Sequence, residues 1–156
     1  MSRRHKHFKT PEELRLLARS QSAESSAALI RATSELATTL GLQFIGLTRE
    51  PPIATTQLTD GCITIKFLYG PPEFHVEMYL SHRRHPNLWF GLSELCQHRP
   101  IQAWMAAWPA SQPILMPRTI ESEVDYFREL LTGPCAEAFT SPDSFFNHFS
   151  PNDRNA

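Results

Sequence analysis

CITIKFLYGPPEFHVEMYL, residues 62–80, decides the fold. From Ile63 to Tyr69 an apolar side chain falls at every second position (Ile63, Ile65, Phe67, Tyr69), with Thr64 and Lys66 between them. Beyond Gly70-Pro71-Pro72 the alternation resumes. It sets Phe74, Val76, Met78 and Leu80 on one face against Glu73, His75 and Glu77 on the other. A repeat of two belongs to a strand, whose successive side chains point to opposite sides. Two such runs joined by a short Gly-Pro turn predict a β-hairpin with one apolar and one polar face.

Working upstream, Leu42 to Thr48 alternates in the same way until Arg49-Glu50-Pro51-Pro52 breaks it, because proline has no amide for a ladder. A second strand is expected over Ile53 to Leu58, ending at Thr59-Asp60-Gly61. Before these, Glu24 to Leu40 has helical spacing, with Leu29, Thr33, Leu36 and Leu40 on one face and Gly41 where a helix stops. Pro11-Glu12-Glu13-Leu14 opens a separate short helix, since Pro suits a first turn and carboxylates suit the positive dipole end; it is expected to end near Ser20-Gln21-Ser22. Residues 1–10, with Arg3, Arg4, Lys6 and Lys9, read as a flexible basic tail.

Downstream, Ser81 to Asn87 reads as a basic loop and Leu88-Trp89-Phe90 as one more short strand. Ser93 is expected to cap a short helix over Glu94 to Gln97. Pro100 opens another, with Ile101, Trp104, Met105 and Trp108 on a single stripe read as core, while Pro109, Pro113 and Pro117 keep the following stretch irregular. Thr119 caps the last long helix, whose buried face is Ile120, Val124, Phe127 and Leu131, and Gly133-Pro134 stops it. Ser141 to Phe146 reads as a capped terminal turn that docks Phe145 and Phe149, followed by a disordered tail over 151–156. The order of helix, antiparallel strands, then helices predicts an α+β domain over 11–150: a sheet of about three to five strands, packed by N- and C-terminal helices on one face only.

Composition narrows the function classes. With 156 residues, 41% apolar and 20% charged, the chain is globular in character, and a core of this size needs no metal or disulfide staple. A net charge of −1 makes it neither a polyanion mimic nor a strongly basic nucleic-acid binder, so charge-based recognition must be local. Cys62, Cys96 and Cys135 are odd in number and far apart, which favours reduced thiols and a cytoplasmic location over export. No apolar run approaches the ~20 residues of a membrane span.

Four constellations bear on chemistry. Glu73, His75 and Glu77, with His82 and His85 beyond them, carry ligand-type side chains on one strand face. Alternate residues there stand nearly ~7 Å apart, however, and a polar face in water is the preferred reading over a metal site. His82-Arg83-Arg84-His85 beside Trp89 and Phe90 combines cations with rings, as nucleic-acid binders do, yet the run is short and no RNA-binding signature accompanies it. Glu73 with Glu77, or Cys96 with His98, have no spacing that fixes reactive geometry. No nucleophile elbow or zinc-protease helix occurs, and only six glycines argue against a phosphate-cradling loop. No catalytic residue, metal or cofactor is therefore assigned.

Taken in order, LATTLGLQFIGLTRE, then CITIKFLYGPPEFHVEMYL, LSELCQ and EVDYFRELLTGPCAEAFTSPDSFFNHF resemble small bacterial α+β proteins of the toxin-immunity kind, across roughly residues 30–149. The resemblance implies a non-catalytic protein that binds another protein. One departure is charge: immunity-like proteins are often acidic, and this chain is near neutral. The expected function is protein recognition through the uncovered sheet face and the adjoining basic loop, with Glu73, His75, Glu77, Arg83, Arg84 and Trp89 as contacts. The alternative is a small nucleic-acid binder using the tail and the His82–His85 run, with a metal protein or an enzyme third.

Overall fold

A computed structural model describes residues 10–50, 53–71, 74–111 and 119–149. The hairpin forms as the alternation requires. Strand β3 (Ile63–Gly70) runs antiparallel to β4 (His75–His82), pairing Ile65 with Leu80, Phe67 with Met78 and Tyr69 with Val76. Strands β1 (Gln43–Glu50) and β2 (Ile53–Thr59) precede it and β5 (His85–Phe90) follows. Each strand pairs with its neighbour in sequence, giving one five-stranded antiparallel sheet in the order β1-β2-β3-β4-β5.

One face of this sheet is apolar. Ala54 and Leu58 of β2, Ile63, Ile65 and Phe67 of β3, Val76, Met78 and Leu80 of β4 and Phe90 of β5 are all buried. Helices α1 (Pro11–Leu40) and α4 (Ile120–Thr132) lie against them and against each other. From α1 come Leu29, Ala32, Leu36 and Ala37, and from α4 Val124, Phe127, Leu130 and Leu131, with the Phe127 ring edge-on to Phe67 at 6.0 Å. Two more helices, α2 (Leu92–Leu95) and α3 (Arg99–Ser111), link β5 to α4. The short helices α5 (Glu137–Thr140) and α6 (Pro142–Asn147) then bring Phe145, Phe146 and Phe149 under β5, where Phe146 and Phe149 meet the Phe90 ring. The class expected from the sequence is the class observed: α+β, with helices packing on the sheet.

Several boundaries differ, each for an identifiable reason. The helix expected to end near Ser20-Gln21-Ser22 and the one expected from Glu24 are a single α1 from Pro11 to Leu40. Serine and glutamine are only mildly unfavourable inside a helix, and no Gly or Pro interrupts the run. Thr10 belongs to this helix as its N-cap, its hydroxyl accepting from the Glu13 amide at 3.2 Å while the Glu13 carboxylate accepts from the Thr10 amide at 3.1 Å. Strand β1 continues through Arg49 and Glu50, because Glu50 pairs with Ile53. Phe74 is exposed rather than inward-facing: it takes a left-handed backbone (φ 52°) in the turn that precedes β4, and so falls outside the strand's alternation.

Ser81 to Asn87 is not a loop. His82 pairs with His85, so only Arg83 and Arg84 turn the chain, and Pro86 lies in β5, an edge strand that tolerates a missing amide. Gly91 rather than Ser93 precedes α2, since the Glu94 carboxylate accepts from the Gly91 amide at 2.9 Å. Helix α3 passes through Pro109 to Ser111, and Ser141 makes no side-chain cap for α6. The tails expected at 1–10 and 151–156 fall, apart from Thr10, outside the described residues, as does the Pro-rich stretch over 112–118.

Candidate functional site

Strand alternation that buries one face of the sheet presents the other. Thr55 and Gln57 of β2, Thr64, Lys66 and Leu68 of β3, Glu77 and Tyr79 of β4 and Trp89 of β5 share it, and none of these is buried. Register fixes their neighbours: Lys66 stands opposite Tyr79 on one side and Gln57 on the other, and Leu68 stands opposite Glu77.

At the centre of this face the Lys66 ammonium lies 4.1 Å from the centroid of the Trp89 ring and 5.5 Å from that of Tyr79. The ammonium thus lies over two aromatic rings whose electron-rich faces attract its charge, an arrangement worth about 0.5–1 kcal/mol for a pair at a partly exposed site. The Tyr79 hydroxyl donates to Glu77 Oε2 at 3.0 Å. Partial burial, together with the hydrogen bond and charge of Glu77 and the charge of Glu94, pushes the Tyr79 phenol above its ordinary value, so it remains a neutral donor. Ion, rings and carboxylate form a chain across β3, β4 and β5 whose members order one another.

The residues singled out in the sequence distribute unevenly around this centre. Trp89 and Glu77 belong to it. His75 does not: at the start of β4 its Nδ1 turns to Glu123 Oε1 of α4 at 3.2 Å, and the Val76 amide donates to Glu123 Oε2 at 3.0 Å. Glu73 lies outside the described residues. Arg84 pairs with Asp143 of α6 at 3.2 Å, while Arg83 is exposed at the turn. His82 is buried, its ring tilted against Phe146 with centroids 5.1 Å apart. His75 and Glu77 thus have different hydrogen-bond partners, Glu123 for the one and Tyr79 for the other. Lys66 and Tyr79, central here, escaped the sequence reading because their significance depends on Trp89 arriving from another strand.

The remaining chemistry is sparse. A shallow notch of about 50 Å³ at the end of the same face is lined by Ile53, Leu68, Gly70, Pro71, His75 and Glu77. That is far below the ~300 Å³ or more of small-molecule pockets. Among the described residues no three His, Cys, Asp or Glu side chains are grouped so as to hold a metal ion. Cys96 Sγ donates to the Ser93 carbonyl at 3.2 Å and His98 stacks on His148 at 4.1 Å, so these two residues face different partners. Trp104 and Trp108, expected as core, are half-buried against Tyr126, with centroids 5.3 and 5.2 Å away. No helix among the described residues is long and apolar enough to cross a membrane. No protein-family model, curated protein or solved structure matches this chain.

Proposed function

We propose that this chain is a non-catalytic protein-recognition module whose contact surface is the polar face of the sheet, centred on Trp89, Lys66 and Tyr79 and flanked by Glu77 and Leu68. The observation that carries the reading is the Lys66 ammonium held over two rings on a face that the packing helices leave open. Aromatic side chains already held in place lose little entropy when a partner covers them, and such residues dominate binding energy where they occur at the middle of an interface. Glu77 and the exposed Arg83 supply charges of both signs at the margin, suited to selecting orientation rather than to bulk attraction. The likeness to toxin-immunity proteins points in the same direction, toward a protein as the partner. The near-neutral charge suits a partner that is not strongly basic.

Affinity capture from native lysate tests this. The unaltered protein and a Lys66→Glu/Trp89→Ala variant are compared, with Arg128→Ala on α4 as a control remote from the sheet's polar face. A protein retained by the unaltered chain and the control but lost with the double variant is expected. Equal capture by all three overturns the assignment of this face. Nucleic acid recovered in place of protein, and released by salt, replaces the reading with nucleic-acid binding.

A further inference from the structure

At the end of the sheet away from the β3–β4 turn, two tight turns lie side by side. Asp60-Gly61-Cys62 joins β2 to β3, and Arg83-Arg84 joins β4 to β5. They are tied together by the Ile63–His82 pairing and by the Arg83 amide, which donates to the Cys62 carbonyl at 2.9 Å. This brings the partly exposed Cys62 thiol to 3.7 Å from Nε2 of His82, whose own side chain is only 6% exposed. The same Nε2 is 3.4 Å from Asp143 Oδ1.

A thiol beside an imidazole has a proton acceptor at hand, and the thiolate is the form that attacks. Asp143 is already engaged by Arg84 at 3.2 Å, and Asp60 Oδ1 accepts from the Cys62 and Ile63 amides, both at 2.8 Å. Both nearby carboxylates thus have other partners, and the turn that adjoins Cys62 carries the two arginines. Because Asp143 meets the same ring nitrogen as the sulfur, it does not orient the imidazole through the opposite nitrogen as an acyl-transfer triad requires. The other two thiols lack these features: Cys135 is buried, which pushes it up to about 12, and Cys96 is bonded to a carbonyl.

We infer that Cys62, poised by His82, is a thiol–disulfide exchange site for small disulfides that carry carboxylates. The Cys62 proton passes to His82 Nε2, and the thiolate attacks one sulfur of RS–SR. The S–S bond breaks, a Cys62–S–SR bond forms, and the departing RS⁻ takes the proton back as RSH. One half of the reagent is reduced as Cys62 is oxidised, and no further oxidant is consumed. The adduct's carboxylates meet Arg83 and Arg84, which gives the basic turn a use independent of the polar sheet face.

The full-length protein is treated with oxidised glutathione and, separately, with the uncharged bis(2-hydroxyethyl) disulfide, and adduct formation at each cysteine is timed by mass spectrometry. Cys62 is expected to react at least tenfold faster than Cys96 or Cys135. His82→Gln, checked for native circular dichroism, is expected to slow Cys62 about tenfold with both reagents. Arg83→Ala/Arg84→Ala is expected to slow glutathione several-fold while sparing the uncharged disulfide. Equal rates at Cys62 and Cys96 overturn the inference, as does a folded His82→Gln variant that reacts at the unaltered rate. Should His82→Gln fail to fold, the charge arm decides alone: a double-arginine variant that loses no preference for the anionic reagent overturns it.

Discussion

At Thr56 a hydroxyl is buried in the apolar face of the sheet, and its Oγ1 has no hydrogen-bond partner among the described residues. Its register neighbours are Leu47 and Phe67, so the environment suits a methyl group better than an oxygen. Thr56→Val is therefore expected to stabilise the fold by about 1 kcal/mol, the usual cost of a buried unmet hydroxyl, read as a higher urea midpoint at unchanged slope. Thr33, equally buried on α1, is different because its hydroxyl donates to the Leu29 carbonyl at 2.6 Å. A Val there removes a met bond and is expected to give no such gain. Cys135 makes a third case at this scale. Burial raises its thiol to about 12, so in the native state it is expected to resist alkylation at pH 8 and to react only once the protein is unfolded in denaturant.

Among the elements, α4 and β5 carry most of what can be tested. Thr119 caps α4 by accepting from the Ser122 amide at 3.1 Å, and Ser122 Oγ accepts in turn from the Thr119 amide at 2.9 Å. Thr119→Ala is expected to cost about 1 kcal/mol in unfolding free energy, since the Ser122 amide at the helix end loses its ordered partner. Gly91, between β5 and α2, supports the recognition face. A Cβ there would lie 2.9 Å from Tyr79 Cε1 and 3.2 Å from Glu94 Oε2. Gly91→Ala must therefore displace the Tyr79 ring that faces Lys66. It is expected to weaken partner capture while leaving the circular-dichroism spectrum native.

The elements also show what a sequence displays and what it hides. The β3–β4 hairpin was legible because its apolar face repeats every two residues over both arms, and α4 because capping residue, stripe and terminal glycine agree. The continuity of α1 was obscured by reading Ser20-Gln21-Ser22 as punctuation when those residues only lower helix stability slightly. The two-residue turn at Arg83-Arg84 was hidden because the charges look like a loop, whereas the pairing of His82 with His85 is settled by the sheet. Lys66 looked like any polar strand residue. Its contact with Trp89 spans three strands, and nothing local to either residue signals it.

For the whole molecule, proton linkage offers the clearest test. His98 stacks on His148 at 4.1 Å, and the imidazole is held below its ordinary value by burial and by the charge of His148, with Glu137 opposing. A base with a lowered native value binds fewer protons than its unfolded form in the window between that value and about 6.5. Stability therefore rises with pH across that window and is lost as pH falls through it. The thermal midpoint is expected to drop on acidification from pH 7.5 to 5.5, and His98→Gln is expected to shrink that drop. An undiminished drop in the variant would assign the acid sensitivity to other groups.

The layer beneath the sheet is assembled from opposite ends of the chain: α1 precedes every strand, α4 follows them all, and the two lie in contact. A nascent chain can thus zip its strands one after another as they emerge, yet the part of the sheet's underside that α4 covers stays bare until residues beyond Thr119 have been synthesised. Fragments ending before that point should be captured by chaperones, and joining α1 to α6 through a linker should be tolerated better than cutting anywhere inside the meander.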